Sequence, residues 1–544
     1  MEAKMADDYR RRGWWRDQTF LDDLRRTTRD DPGRIAVITR AFDRAPGPVP
    51  DIRRLDYAEL SLLADRAAGT LVELGVRPGG TVAVQLNDRW ELAVLALACM
   101  RAGARFCPLL PMYRRRELEI MLGLTEARVF ITQARHAEAD LGALAVSLAA
   151  ELPSLAHVVV ADGPRPAGTL GLYETFLAPS RDLPAPALLD ARELGPDDPY
   201  LTLFTSGTTG EPKGVLHSAN TLYAAVRGEA GVFGLDSSLV MCTTASYTHY
   251  TGVVQGMLMP IMLGGTMVFQ DDRDTGAVLD LLAEERVTFL YVAPYYLRRL
   301  FDEQRSRPRD LALEWLVSGS ASIPPHYVDL ARDVFGLRLF SLWGMSENGP
   351  VTISRPDDPE DWASRSDGSP ISDMEFRIDP LPGQPDGIGV LWVRGPTQCL
   401  GYDRRPEVYA ASLDEDGWFN TGDLARHDGR GGIRIEGRVG DAIKHRAFVI
   451  PVTDIEAVVA QHPKVAEATV IGLPVGEGED EQICAVVTAA DGSAVTLDEL
   501  RASLKDAGMM EMYWPQRLEV VSALPKTANG KVRKVELKER YAVR

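Results

Sequence analysis

Helix-spaced and strand-spaced apolar residues alternate through the first part of the chain, and this alternation limits the possible folds more than any other feature. A helix is predicted over residues 57–74, with Gly75 as its C-cap. A turn rich in Pro and Gly then leads to a predicted strand over 81–85, a helix over 90–100, and further strands over 128–131, 156–160 and 201–204. Such alternation predicts an α/β fold with mostly parallel sheets.

The pattern changes after about residue 437. Helices are predicted over 452–460 and 497–507, and strands over 465–472, 482–488 and 517–521. These elements form an α+β unit of about 100 residues, which is an ordinary domain size. Because 544 residues are too many for one hydrophobic core, the sequence predicts a large N-terminal domain over 1–437 and a small C-terminal domain over 438–544.

Charge and composition exclude several classes of partner. The net charge of −18 argues against nucleic acid and anionic membranes, which both attract cationic faces. The longest apolar stretch, 253–269, is interrupted by polar residues, Pro and Gly, so we expect a buried helix, a turn and a strand rather than a membrane span. The N-terminus has no apolar segment typical of a signal peptide. Five scattered cysteines suggest neither a zinc site nor a disulfide framework and favour a cytoplasmic location.

A loop rich in hydroxyl and glycine residues follows the predicted strand over 201–204. Its sequence, TSGTTGEPKG, spans residues 205–214. Glycines let the backbone N–H groups point inward, hydroxyls donate further hydrogen bonds, and a lysine adds positive charge, as a polyphosphate requires. The Walker pattern is absent, because proline precedes the lysine and glycine follows it. The predicted phosphate-binding residues are Thr205, Ser206, Gly207, Thr208, Thr209 and Lys213.

This loop resembles the signature loop of the ANL superfamily of AMP-forming adenylating enzymes, which comprises acyl-CoA synthetases, peptide-synthetase adenylation domains and luciferases. Other family motifs follow in order, so the resemblance spans about residues 56–534. Within the superfamily the chain is most similar to cyclohexanecarboxylate and medium-chain acyl-CoA ligases, through RRGWW at 11–15 and PLLPMY at 108–113. The resemblance implies a large domain of two α/β subdomains and a distorted β-barrel, with a small, mobile α+β lid.

Two further segments resemble family motifs that surround the nucleotide. The sequence SLWGMSE at 341–347 resembles the aromatic-Gly-Met-Thr-Glu motif. An aromatic ring can stack on adenine, a hydroxyl can bond the α-phosphate, and a carboxylate can hold Mg²⁺. The resemblance assigns these roles to Trp343 with Gly344, to Ser346, and to Glu347. The sequence SGSA at 318–321 resembles the segment that lines adenine and the acid pocket, and it adds Ser318, Gly319, Ser320 and Ala321.

The ribose and the reacting atoms are assigned in the same way. The sequence GWFNTGD at 417–423 resembles the ribose motif, in which Asp423 would accept hydrogen bonds from both ribose hydroxyls. Arg438 resembles the arginine that bonds ribose or phosphate where the hinge begins. The sequence PKTANGKVRK at 525–534 resembles the catalytic-lysine motif, and Lys531 would bridge the attacking carboxylate and the α-phosphate. A lysine on a separate domain lets lid closure complete the site.

The acid pocket is the least specified part. His249 matches the family's histidine-x-x-glycine at the pocket wall, although a lone histidine beside an apolar helix is often a packing residue. Tyr247 and Ser318 are the other predicted pocket residues. These segments carry no charged residue that identifies the acid.

The chain departs from the family pattern after Arg438. Gly440 stands where relatives usually have Asp or Lys as the pivot of the lid. Arg446 and Ala447 stand where relatives have two small residues that let the pantetheine arm pass close to the backbone. Either the loop shifts and CoA still enters, or the adenylate goes to another acceptor. Lys444 is a possible accessory functional lysine.

The sequence therefore predicts an AMP-forming ligase that uses ATP and Mg²⁺ to convert a small carboxylic acid to an acyl-AMP, with CoA as the expected acceptor. The alternative acceptors are a carrier protein, or an aromatic amine diazotised with activated nitrite. A non-catalytic nucleotide-binding relative is disfavoured by Lys531, Glu347 and Asp423. An NAD-dependent oxidoreductase is excluded because no G-x-G-x-x-G follows an early strand.

Overall fold

The computed structural model describes residues 3–40, 52–180, 182–206, 212–271, 274–381, 387–439, 443–445, 448–450, 452–474, 481–490, 493–509, 511–527 and 530–542. In these ranges the chain is mixed α/β, with a large N-terminal part and a small C-terminal part, which confirms the predicted fold class. No helix in the described ranges combines the length and the apolarity that a membrane crossing requires.

Two large sheets dominate the N-terminal part, and their central strands are parallel. The nine-stranded sheet has the order Ser369–Pro370, Gly349–Ile353, Leu339–Met345, Trp315–Gly319, Phe289–Val292, Val240–Thr243, Thr266–Gln270, Ile35–Arg40 and Ile52–Asp56. The eight-stranded sheet has the order Gly401–Tyr402, Pro212–Ser218, Pro199–Ser206, Arg105–Pro108, Thr81–Gln85, Val129–Thr132, His157–Val160 and Leu170–Gly171. Central strands such as Thr81–Gln85 are buried throughout, as expected where helices cover both faces of a parallel sheet.

Smaller sheets complete the architecture. A four-stranded antiparallel sheet has the order Glu375–Pro380, Gly389–Arg394, Phe419–His427 and Ile433–Arg438. The C-terminal part has a three-stranded sheet of Val465–Pro474, Glu481–Ala489 and Arg517–Val521. Two-stranded pairs are formed by Lys444–His445 with Phe448–Val449, and by Arg135–His136 with Ala139–Asp140.

The helices agree closely with the helical spacing in the sequence. Helix Tyr57–Glu73 begins where the Asp56 side chain accepts a 2.7 Å hydrogen bond from the Glu59 backbone N–H. It ends just before Gly75, whose φ of +75° is the left-handed conformation expected of a C-cap glycine. The other α-helices are Ala3–Arg11, Phe20–Asp30, Glu91–Arg101, Arg115–Thr125, Leu141–Glu151, Pro186–Asp190, Ala219–Phe233, Tyr250–Val253, Met259–Leu263, Thr275–Glu284, Pro294–Ser306, Pro325–Leu330, Pro406–Ala410, Val452–Ala460, Leu497–Asp506 and Lys534–Tyr541.

Short helices of other kinds occur where the sequence pattern is weaker. Residues Tyr173–Leu177, Val254–Leu258 and Ala331–Phe335 are π-helical, and Trp362–Ser364 and Glu511–Tyr513 are 3₁₀-helical. The segment around Tyr173 is therefore a π-helical turn. The apolar stretch over 253–269 forms buried helical segments followed by strand Thr266–Gln270, as expected.

Helix Ala219–Phe233 packs in the hydrophobic core between the two large sheets. One continuous cluster of buried side chains joins Phe106 of the eight-stranded sheet, Leu222 of this helix, and Phe289 of the nine-stranded sheet. Two other clusters consist only of residues from Ile443 onward. The C-terminal part therefore has its own core, as an independent folding unit requires.

Candidate active site

The strand pair around the predicted phosphate loop positions the lysine of that loop. Strands Pro199–Ser206 and Pro212–Ser218 are antiparallel, and Thr205 lies opposite Lys213 in their register. The Lys213 ammonium lies 5.2 Å from the ring centroid of Tyr402, on the neighbouring edge strand. Gly207, Thr208 and Thr209 fall outside the described residues, as does the side chain of Ser206.

Tyr402 connects this lysine to the predicted magnesium ligand. Its hydroxyl donates a 2.9 Å hydrogen bond to Glu347 Oε1. Burial and the Glu347 charge both raise the pKa of Tyr402 well above its ordinary value, so the phenol keeps its proton and remains a donor. The Glu347 carbonyl accepts a 2.7 Å hydrogen bond from the Cys399 N–H. Side chain and backbone of Glu347 are thus both held in place.

His217 fixes the neighbouring Ser346 from the other side. Its Nε2 lies 2.7 Å from the Ser346 carbonyl oxygen, and its Nδ1 lies 2.9 Å from the Thr221 hydroxyl. Since Nε2 must donate to a carbonyl, Nδ1 is the acceptor in the neutral ring. Burial lowers the pKa of His217 to about 4, so the imidazole is neutral at physiological pH. The strand after the phosphate loop therefore positions the predicted α-phosphate contact.

Asp423 lies at the centre of the predicted ribose site. Its Oδ1 accepts a 2.7 Å contact from Arg438 Nε, and its Oδ2 accepts a 3.2 Å hydrogen bond from the indole N–H of Trp343. Asp423 and Arg438 face each other across adjacent strands. Burial raises the pKa of Asp423, whereas the charges of Arg438 and Lys531 lower it. The Asp423 carboxylate thus binds directly to Trp343 and Arg438, which are predicted to contact adenine and the ribose or phosphate.

Lys531 reaches this site from the C-terminal part. Its charge acts on Asp423, which lies in the four-stranded sheet of the N-terminal part. The turn that carries it is closed by hydrogen bonds between Thr527 and Lys531, from Thr527 N to Lys531 O at 2.7 Å and from Lys531 N to Thr527 Oγ1 at 3.2 Å. Gly530 in the same turn has a φ of +79°, and a Cβ built on it would lie 2.2 Å from the Tyr295 ring. The lysine turn therefore packs against helix Pro294–Ser306.

A cavity lies next to Ser346. It is lined by Pro108, Leu110, Tyr113, Leu203, Phe204, Thr248, His249, Tyr250 and Ser346. His249, predicted to be at the pocket wall, is among these residues, and burial lowers its pKa to about 4. Most of the lining is apolar, as in pockets that bind small organic molecules, but the free volume of about 10 Å³ is that of one water molecule, so an acid would enter only if these side chains moved apart.

The other predicted pocket and adenine residues have mixed positions. Tyr247 is fully buried and donates a 2.8 Å hydrogen bond to the Val268 carbonyl, so its side chain is engaged in core packing. Ser318 is buried at the end of its strand with an unpartnered hydroxyl. A Cβ on Gly319 or Gly344 would lie 2.6 Å or 2.2 Å from a carbonyl oxygen, so close backbone approach requires glycine there. Ser320, with a φ of +73°, and Ala321 are exposed.

The segment in which the sequence departs from the family pattern is described only in part. Gly440, Arg446 and Ala447 lie outside the described residues. Lys444 lies in the short strand Lys444–His445, but its side chain is not among those described. The route by which an acyl acceptor reaches the site therefore stays a prediction.

Sequence reasoning missed two residues that hold the site together. Tyr402 follows a glycine in an edge strand, and His217 lies in a mixed polar and apolar strand, so neither carries a motif. Their importance depends on contacts with Glu347 and Ser346, which are more than fifty residues away along the chain.

Comparison with known proteins gives one consistent result. A family model described as AMP-binding enzyme matches residues 24–403, and one described as AMP-binding enzyme C-terminal domain matches residues 454–531. The chain is 30% identical over 538 residues to a medium-chain fatty-acid–CoA ligase of Escherichia coli K12, covering 98% of this chain and 92% of the relative.

Two further relatives extend this comparison. The chain is 30% identical over 541 residues to the salicyl-AMP ligase / salicyl-S-ArCP synthetase of Mycobacterium tuberculosis H37Rv, covering 98% of this chain and 92% of the relative. The solved structure of the amide bond synthetase McbA from Marinactinospora thermotolerans aligns with a TM-score of 0.81 and 26% identity, covering 96% of this chain and 100% of that chain.

Proposed function

Because the chain belongs to the AMP-binding enzyme family, and so converts ATP and a carboxylic acid to an acyl-AMP, we propose that Lys531 completes its active site and that CoA takes the acyl group. The observation that carries this proposal is the position of Lys531. Its turn belongs to the C-terminal part of the chain, yet Gly530 in that turn packs against Tyr295 of the N-terminal part, and the Lys531 charge lowers the pKa of buried Asp423. A cation brought to the buried ribose carboxylate by a separate folding unit suits a site that is completed by lid closure.

Each side chain around this point has a distinct task in the proposed site. Asp423 accepts hydrogen bonds from the ribose hydroxyls while Arg438 and the Trp343 indole hold it. Ser346 and the phosphate loop with Lys213 bind the phosphates. Lys531 neutralises the negative charge that develops as the substrate carboxylate attacks the α-phosphate and pyrophosphate leaves. His249 lines the cavity that we assign to the acid.

Glu347 is suited to Mg²⁺. The ion usually keeps several waters and binds through one or two carboxylates together with substrate phosphates. Glu347 supplies one such carboxylate, and its Oε1 is oriented by the Tyr402 hydroxyl at 2.9 Å. In the described ranges no cluster of three or more His, Cys, Asp or Glu side chains could form an all-protein cage. Bound Mg²⁺ would therefore be shared with the triphosphate and would offset its charge.

The contacts on either side of the hinge support the proposed division near residues 437 and 438. Ile443 belongs to the core of the C-terminal part, whereas Arg438 still pairs with Asp423 in the N-terminal sheet. The stretch between them is short enough to act as a hinge about which the small domain, 438–544, moves against the large one, 1–437. Glu436, just before the hinge, shares Arg426 with Asp454 of the small domain.

CoA as the acceptor rests on similarity to the ligase from E. coli, whose name specifies that substrate. The mycobacterial relative is named for a carrier-bound product instead, which supports a carrier protein as the alternative. Five free, buried cysteines fit a reducing cytoplasm, which is where we place the enzyme.

One experiment separates these possibilities. The purified protein is incubated with ATP, Mg²⁺ and a panel of aliphatic, alicyclic and aromatic acids, with CoA, with pantetheine or with neither, and products are identified by mass. A parallel reaction contains nitrite and an aminobenzoate. We expect at least one acid to support pyrophosphate release with CoA, with pantetheine and with neither, an acyl thioester with CoA, and no diazo product with nitrite. Pyrophosphate release without a CoA thioester would contradict the acceptor, and no release with any acid would contradict the function.

A further inference from the structure

A group of buried polar side chains without partners lies behind the cavity. The Glu229 carboxyl on helix Ala219–Phe233 is completely buried, and neither of its oxygens has a hydrogen-bond partner. The Tyr250 hydroxyl, the Tyr291 hydroxyl and Gln255 Oε1 are also buried and unpartnered. Buried polar atoms are nearly always hydrogen-bonded, so four such side chains together require an explanation.

These side chains form one group. The Glu229 charge raises the pKa values of both Tyr250 and Tyr291, and the Gln255 side chain faces Glu229, although without the geometry of a normal hydrogen bond. Gln255 lies in the π-helical turn Val254–Leu258, which follows directly on the helix that carries Tyr250. Burial raises the pKa of Glu229 to about 8. Arg and Lys are absent from the groups that act on this carboxyl, so no cation in the described residues neutralises it.

Tyr250 joins this group to the cavity. It lines the cavity together with His249 and Ser346, and its hydroxyl points toward Gly349, where an added Cβ would lie only 2.3 Å away. Tyr291 approaches from the strand beside the one that ends at Ser318. In the proposed function the substrate carboxylate must be near Ser346 and Lys531. The body of such a substrate would extend along the cavity to Tyr250, and Glu229 lies beyond Tyr250.

The hydrogen-bond donors and acceptors of these side chains determine which ligand group could bind to them. Burial keeps the Glu229 carboxyl protonated at neutral pH while no substrate is bound. Once it gives up this proton to a basic group, both Glu229 oxygens are acceptors, as Gln255 Oε1 is, and each tyrosine hydroxyl can accept as well as donate. A hydroxyl group supplies one donor, whereas an amino group supplies two or, when protonated, three. A protonated amine would also neutralise the charged form of Glu229, which is otherwise unfavourable to bury. Only the amino group matches the surplus of acceptors.

We propose that the acid substrate carries an amino group on the side away from its carboxylate, and that Glu229 recognises it with Gln255 and Tyr291. This inference rests on the proposed function, because the position of the carboxylate follows from it. Glu229 is then a residue that selects the substrate. A site built to hydrogen-bond a polar group rejects an analogue that lacks it, since the buried atoms stay unpaired.

The test compares kcat/KM for acid-dependent pyrophosphate release with aminobenzoates, hydroxybenzoates, benzoate, and the amino and unsubstituted cyclohexanecarboxylates. We expect kcat/KM for the best amino-substituted acid to exceed that for its unsubstituted analogue by ~100-fold or more, within the range of polar discrimination by enzymes. In Glu229→Leu this ratio falls to about one, and in Glu229→Gln or Tyr291→Phe it falls by about tenfold. The Thr81→Val variant removes another buried, unpartnered oxygen outside the cavity and leaves the ratio unchanged.

Thermal unfolding separates recognition from a structural role. Because Glu229→Leu removes an unpaired buried carboxyl, we expect its melting temperature without substrate to equal or exceed that of the wild type. A lower melting temperature together with an unchanged selectivity ratio would overturn the inference, as would a wild-type preference for hydroxy or unsubstituted acids. If no acid in the panel released pyrophosphate, the proposed function itself would fail, which is a distinguishable result.

Discussion

Replacing Tyr402 by phenylalanine tests how Glu347 is positioned. The change removes one hydroxyl and with it the 2.9 Å hydrogen bond to Glu347 Oε1. A hydrogen bond to a charged group contributes about 1.5–3 kcal/mol. Loss of a residue that orients a metal ligand typically lowers metal affinity or activity by about 10–100-fold, which corresponds to about 1.4–2.7 kcal/mol. The two ranges agree, so we expect the Mg²⁺ concentration for half-maximal adenylation to rise by at least tenfold.

The assay is pyrophosphate release at saturating ATP and acid, titrated with Mg²⁺. Tyr409→Phe is the matched control, because its hydroxyl donates a 2.9 Å hydrogen bond to the Cys399 carbonyl and its ring packs edge-on to Tyr402 at 5.6 Å. This control loses two hydrogen bonds in the same cluster, one donated to the Cys399 carbonyl and one accepted from Gln398 Nε2, but keeps the hydrogen bond from Tyr402 to Glu347 Oε1. We expect its Mg²⁺ titration to match that of the wild type. Equal Mg²⁺ titrations for Tyr402→Phe and the wild type would refute the reasoning.

Three further changes probe the lid, the ribose site and the buried imidazole. In Gly530→Ala the new Cβ lies 2.2 Å from the Tyr295 ring, so we expect kcat to fall by at least tenfold. Gly508 has a similar φ of +75° but open space around it, so Gly508→Ala should retain kcat in the same assay. Trp343→Phe removes the indole donor to Asp423, so KM for ATP should rise by up to about tenfold, and an unchanged KM would contradict this contact. Because the pKa of His217 is lowered to about 4, its neutral form stabilises the fold above about pH 6.5, and this contribution is lost as the pH falls toward 4. In chemical unfolding across this pH range, we expect the free energy of unfolding of His217→Gln to fall less steeply with decreasing pH than that of the wild type, by up to about 1.4 kcal/mol per pH unit. Equal slopes for the two proteins would contradict the assignment.

The helices and strands were largely predictable because their spacing is a local property. The strand over 81–85 and the helix over 452–460 occur with the predicted bounds, and the helix over 57–74 ends one residue early. Its end is determined by Gly75, which the sequence displays openly. Where bounds shifted, as in strand Val465–Pro474, extra residues pair with a neighbouring strand that no local pattern reveals.

The same distinction between local patterns and contacts formed on folding applies to the residues of the site. Asp423, Glu347 and Lys531 were found from motifs, because their chemistry demands particular residues at fixed spacing. Tyr402 and Glu229 were not found, because each acts through a contact that exists only after folding. A glutamate on an amphipathic helix is normally assigned to the solvent face, and only the packing of helix Ala219–Phe233 between two sheets shows otherwise.

The role of Lys531 is tested most directly by single-turnover formation of the acyl-AMP, measured with a substrate acid found in the panel. Lys531→Ala is compared with Lys505→Ala, which removes an exposed lysine from helix Leu497–Asp506 of the same small domain. We predict that Lys531→Ala slows adenylate formation by at least ~100-fold with little change in ATP binding, and that Lys505→Ala matches the wild type. Equal rates for all three proteins would contradict the claim that this lysine completes the active site.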